Sequence, residues 1–164
     1  MNDAFLSEAR ITLRPVDRDN WVACGGLALG EDQVGRVASN LATIAESKFE
    51  PHYHLRAIYR EETLVGMLAY CHEDDPEDRE LYWLFRLMID VASQGRGYGW
   101  AAVRLAIDEM ESLGARRIRT MHQPGNRVAA SLYEKLGFES TGEVLDDGDE
   151  VRELTLPSKS KLTF

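Results

Sequence analysis

The sequence predicts an α/β fold, a mixed sheet with helices packed on its faces. Three observations carry that expectation. Short apolar stretches of strand character alternate with segments of helical period. The almost wholly apolar stretch 81–90 runs into the glycine turn Gln94-Gly95-Arg96-Gly97-Tyr98-Gly99 and then into a helical pattern. A chain of 164 residues, 44% hydrophobic and 29% charged, can bury a core as one domain without disulfides or metals.

Ile11 and Leu13 alternate with Thr12 and Arg14, which gives a first strand over 10–14. Helices are expected over 17–29, weakened at Gly25-Gly26, and over 34–49. In the second, Val37, Leu41, Ile44 and Ala45 form the apolar stripe and Pro51 closes the segment. Strands over 55–59 and 64–71 flank a turn at 60–63. Residues 81–90 read as a central strand, because both faces are apolar. The helix after the glycine turn runs from Trp100 to Leu113 on Trp100, Val103, Ile107 and Met110, and Gly114 stops it. A strand over 116–121 precedes a helix over 126–136, where Val128, Leu132 and Leu136 recur at i, i+4, i+8 as one buried stripe. Gly137 suits the left-handed position after a helix. Residues 137–144 and 151–156 form a last antiparallel pair across an acidic turn, and 157–164 are a tail. A single domain is expected over 1–164, with its core at about 10–156.

The formal net charge is −9, with acidic clusters at 73–80 and at Asp146-Asp147-Gly148-Asp149-Glu150. Such a field disfavours nucleic acid and anionic membrane and attracts cations. Two readings of the clusters stay open: solvated turns, or a funnel for a polycationic amine. Arg96, Arg104, Arg116, Arg117 and Arg119 are expected to gather around the glycine turn. No run approaches the ~18 apolar residues of a membrane helix, and residues 1–10 carry no signal-peptide pattern. Cys24 and Cys71 are expected as buried, reduced thiols, which points to the cytoplasm. His52, His54, His72 and His122 show no metal-ligand spacing, so no metal site is expected.

A strand, a glycine turn and a helix in that order make an anion site. Unpaired N–H groups and the helix dipole favour negative charge there, and glycines let a phosphate approach the backbone. The spacing is neither a P-loop nor the dinucleotide fingerprint. Read alone, the turn is either a phosphate site or a plain connection. A second segment bears on the choice. Asn126 and Tyr133 lie seven residues apart on one helix face, about 10 Å along the axis. Small Ala129 and Ala130 lie between them, so an extended polar ligand could rest along that face.

With these motifs the chain resembles the GNAT superfamily of acyl-CoA N-acyltransferases. Gln94 to Gly99, a helix, a strand, then Asn126…Ala130-Ser131-Leu132-Tyr133-Glu134-Lys135-Leu136-Gly137-Phe138 match in order and spacing over about residues 80–140. More loosely, residues 20–24, 37–41, 47–51, 57–59 and 86–90 are similar to the diamine and polyamine (spermine/spermidine) N-acetyltransferase subgroup. The resemblance implies a mostly antiparallel twisted sheet, acetyl-CoA as co-substrate, and direct attack by a primary amine of a small polycationic acceptor. It is also compatible with a homodimer. Gly95, Arg96, Gly97, Tyr98, Gly99 and Trp100, led by Gln94, would take the pyrophosphate. The main chain of Leu87, Met88 and Ile89 would pair with the pantetheine amides like an added strand. Asn126 would bond the same arm, and Tyr133 would protonate the departing thiolate as general acid.

The base is harder to read. The family's usual places correspond to Trp83 and Met121, which cannot accept a proton. Glu80, His122, Glu31 or a chain of waters remain, each residue also a candidate substrate contact. Arg86, a charge in an apolar strand, is expected to pair with a carboxylate and order the acceptor pocket. Trp83 and Tyr82 are expected to line that pocket or to pack. Other acceptors, a protein N-terminus or an aminoglycoside, and a non-catalytic CoA-binding sensor are the alternatives.

Overall fold

The structure, a computed structural model, describes residues 10–30 and 39–158. In chain order the elements are β1 (Ile11–Pro15), α1 (Trp21–Gly25), α2 (Asn40–Ser47), β2 (His54–Arg60), β3 (Thr63–Asp74), β4 (Glu77–Ile89), a 3-10 turn (Val91–Ser93), α3 (Tyr98–Ser112), β5 (Arg117–His122), α4 (Arg127–Lys135), β6 (Glu139–Val144) and β7 (Glu150–Thr155). The strands form a seven-stranded mixed sheet in the order β1-β2-β3-β4-β5-β7-β6. Every neighbouring pair is antiparallel except β4 and β5, which are parallel.

The strand period of two feeds two cores. Ile58, Leu68, Tyr82 and Leu84 pack with Ala102, Val103, Ala106 and Met110 of α3 and with Tyr133 of α4. Ala57 and Met67 point the other way, onto Cys24 of α1 and Ile44 of α2. A half-buried polar tie fastens α3 to the sheet: Glu109 accepts from the Tyr70 hydroxyl at 2.5 Å and from Arg56 Nε at 2.9 Å. Both thiols are free, and burial pushes Cys24 up to about 11 and Cys71 up to about 12.

Four expectations are corrected. The first helix is only Trp21–Gly25, because Asp17 and Asn20 exchange side chain–backbone bonds that close a turn over 17–20. The second begins at Asn40, where Ser39 caps it through Ala42 N–H at 3.1 Å; residues 34–38 of the expected helix lie outside the described residues. The acidic stretch 73–80 is no free turn, since Glu73 and Asp74 pair across the β3–β4 hairpin with Asp78 and Glu77. In α4, Val128 is 79% exposed. The buried side is Ala129, Leu132, Tyr133 and Leu136, because an i, i+4, i+8 row drifts around a helix of 3.6 residues per turn.

Candidate active site

β4 and β5 pair only from Leu81–Leu84 to Arg117–Thr120. Beyond that, Leu87, Met88 and Ile89 stay bonded to β3 alone, opposite Leu68, Met67 and Gly66. Met121 and His122 turn away with β7, opposite Val151 and Glu150. The strands part, and a cleft of about 330 Å³ opens between them. Leu84 to Leu87 form one wall, Thr120 to Gln123 the other; Asn126, Ala129 and Tyr133 close the α4 side, and Asp147 and Asp149 stand at the mouth.

The glycine turn sits at the end of β4. Gln94 Nε2 donates to the carbonyl of Ile89 at 2.9 Å and pins the chain where the strand ends. Gly95 and Gly97 adopt φ of +76° and +80°, which disfavours any side chain there. A Cβ at either would meet nothing within 4 Å, so the turn faces open space. The first amide of α3 with an acceptor is Ala101, on Gly97. The N–H groups of Tyr98, Gly99 and Trp100 therefore have no intrahelical partner, and the first turn holds no acidic side chain. Such a turn can receive a phosphate. Beside it, the edge of Leu87–Ile89 has no strand partner on the β5 side, although Gln94 takes the Ile89 carbonyl, and it can accept an extended chain bearing amides.

Asn126 is the N-cap of α4, its Oδ1 accepting from Ala129 N–H at 3.2 Å, so its Nδ2 donors remain for a ligand. Tyr133 is 5% exposed, with its ring edge-on to Phe138 and near-parallel to His122 at 6.5 Å. Burial pushes its phenol up, and the Thr120 hydroxyl pulls it part of the way back. The phenol therefore keeps its proton at neutral pH.

The profile of the acetyltransferase (GNAT) family matches residues 13–138. The chain belongs to this acetyltransferase family. It is an N-acetyltransferase with acetyl-CoA as co-substrate. It is 29% identical to the spermine/spermidine N(1)-acetyltransferase of Bacillus subtilis (strain 168) over 147 residues, 86% of this chain and 95% of that one. The fold resembles yncA, a putative acetyltransferase from Salmonella typhimurium with acetyl-CoA, at a TM-score of 0.68 and 16% identity over 92% and 96% of the two chains. It also resembles aminoglycoside acetyltransferase AAC(6')-Ib with coenzyme A, at 0.74 and 18% over 88% and 94%.

Within this acetyltransferase the expected acceptor residues divide. Arg86 and His122 reach the cleft. Arg86 makes no carboxylate pair among the described residues; its Nε donates to Thr43 Oγ1 at 3.2 Å and its Nη1 to the Phe85 carbonyl at 2.8 Å. His122 Nε2 accepts from Arg152 Nε at 2.9 Å, and Nδ1 lies 3.0 Å from the Gln123 carbonyl. These two bonds assign a neutral ring with its proton on Nδ1. Trp83 lies off the cleft, its indole N–H donating to Glu73 at 2.9 Å and its ring under Arg119. Tyr82 is buried in the α3 core. Glu80 is exposed near the start of β4; its N–H donates to Asp78 Oδ1 at 2.9 Å and its carbonyl accepts from Arg116 N–H. Glu31 lies outside the described residues.

The five arginines do not gather at the glycine turn. Arg117 pairs with Asp78 and Glu153, and Arg119 with Glu143 and Glu153. Arg117 stands opposite Leu81, roughly 26 Å along β4 from Ile89 at strand rise. Arg104 stays on α3, its guanidinium over Trp100, and Arg96 is exposed within the turn. Leu84, Phe85, Thr120 and Gln123 line the cleft although the sequence did not single them out, and Asp147 and Asp149 were named only within the acidic cluster. The acidic turn was visible as charge, but its position depends on which strand β7 pairs with.

Proposed function

We propose that this acetyltransferase acetylates a primary amine of a small polycation, a diamine or polyamine. The observation that carries the reading is the cleft between β4 and β5, with a protonated phenol inside and two carboxylates at its mouth. The glycine turn, with its unspent N–H groups, would hold the pyrophosphate of acetyl-CoA. The free edge of Leu87, Met88 and Ile89, together with Asn126, would hold the pantetheine arm and bring the thioester beside Tyr133. Acetyl-CoA supplies the activated acyl group. Tyr133 Oη keeps a proton for the sulfur that leaves.

The acceptor must be cationic to be drawn in and neutral to react. Asp147 and Asp149 supply the attraction. Aromatic Phe85, packed against Tyr53 at 4.6 Å between ring centres, offers apolar surface for methylene spacers. Similarity to a spermine/spermidine N(1)-acetyltransferase supports the same class. The test is thiol release from acetyl-CoA with purified protein and a panel: spermine, spermidine, putrescine, a monoamine of similar length, an aminoglycoside and a peptide N-terminus. Spermidine or spermine should give the highest kcat/KM. Equal use of the monoamine, or preference for the aminoglycoside or peptide, overturns the polyamine reading.

A further inference from the structure

A primary ammonium has a pKa near that of lysine, about 10.4, so at pH 7 well under one molecule in about a thousand carries the free amine. Some group at the cleft must take that proton. The strands offer no carboxylate, since β4 contributes Leu84, Phe85, Arg86 and Leu87 and β5 contributes Thr120, Met121 and His122. Arg86 has no lone pair to offer. Tyr133 holds its own proton. Both nitrogens of His122 are engaged, Nε2 as acceptor from Arg152.

The β6–β7 turn fills the gap. Its backbone is fixed on both sides of Asp149: the Asp149 N–H donates to Asp147 Oδ1 at 3.0 Å, and its carbonyl accepts from Leu145 N–H at 2.9 Å. No described donor bonds the Asp149 carboxylate, so its lone pairs are free. The side chain is half-buried, whereas Asp147 is exposed and already accepts the turn's bond.

We propose that Asp149 is the general base, which takes the proton from the acceptor's ammonium before attack. The assignment rests on the amine acetylation proposed above. Charged and titratable groups facing Asp149 are Asp147 on its own turn, Arg86 from β4 and His122 from β5. Burial and Asp147 raise its pKa, the Arg86 guanidinium opposes them, and the net direction is upward, toward a stronger base. The step balances. Asp149 gains one proton from R–NH3+. The freed lone pair forms the C–N bond as the C–S bond breaks. Tyr133 gives its proton to the sulfur and recovers one from the acylated nitrogen. Asp149 then releases its proton to water.

The experiment compares wild type, Asp149→Asn and Asp147→Asn in pH profiles of kcat/KM for spermidine at saturating acetyl-CoA. A thermal-shift titration with acetyl-CoA shows that each variant is folded. Wild type should be flat above the pKa of its base. Asp149→Asn should lose 10²–10⁴-fold at pH 7, and its rate should climb tenfold per pH unit toward the amine's own pKa. Asp147→Asn removes the same charge from the same turn, so it should raise KM and keep the wild-type shape. An Asp149→Asn profile that stays flat, or equal losses of the same shape in both variants, overturns the assignment and leaves only attraction. The amine reading fails separately. If wild type uses a monoamine and not spermidine, the profiles on that monoamine still decide Asp149; if wild type releases no CoA with any amine, both readings fall.

Discussion

Tyr133 is one hydroxyl on a ring that packs against Phe138 and His122. Tyr133→Phe should keep those ring contacts and acetyl-CoA binding while kcat falls by about 10²–10⁴-fold. Wild-type kcat in this variant at saturating amine would remove the acid role. The sign of its titration follows from burial. A phenol whose folded pKa is raised above the ordinary value near 10 contributes stability fully present below that value and lost as pH climbs through the folded one. Chemical denaturation should show Tyr133→Phe to be less sensitive than wild type to pH above 10. An equal slope for the two would mean that the phenol is not buried. Asn126 and Tyr133 were legible in sequence because one helix carries both, and helical spacing is local. Asp149 was not, because its place at the cleft depends on β7 pairing with β5, where Glu150 stands opposite His122, 28 residues away in the chain. The neutral state of His122 was equally hidden, since it depends on Arg152 from that same strand.

At the scale of elements, the glycine turn and the end of β4 work together. Acetyl-CoA at one hundred times its Kd should stabilise the native protein by about 2.7 kcal/mol. Gly97→Val should abolish the resulting thermal shift, since valine resists a φ of +80° and fills the open approach. A preserved shift would place the phosphates elsewhere. Gly66 lies behind the free edge, where an added Cβ would collide with the Met88 carbonyl oxygen. Gly66→Ala should therefore displace β4 and weaken acetyl-CoA binding without touching the cleft directly; an unchanged Kd in the folded variant would contradict this. The order of strands and helices and the strand–turn–helix unit were readable from periodicity. The short first helix was not, because the side-chain bonds of Asp17 and Asn20 override a helical pattern.

Across the whole molecule the net charge of −9 is unevenly placed. Arg117 and Arg119 are spent on Asp78, Glu143 and Glu153, whereas Asp147 and Asp149 stay at the cleft mouth. Attraction across open solvent is screened over about 8 Å at physiological salt. Raising the salt should thus lower kcat/KM for spermidine more steeply than for a monoamine of equal length. Equal slopes would mean that the surface charge only solvates. No described helix is long and apolar enough to cross a membrane.

The partial pairing of β4 with β5 has a mechanical consequence. Among the described residues, strand pairing joins the β1–β4 panel to the β5–β7–β6 panel only over Leu81–Leu84 and Arg117–Thr120, with one more backbone bond from Arg116 N–H to the Glu80 carbonyl. The sheet is thus a book bound along a short length of its spine. A ligand strand laid in the gap would bind the rest and turn two leaves into one. Amide hydrogen exchange in residues 85–89 should slow when acetyl-CoA binds, and so should exchange at Met121 and His122 on the facing leaf.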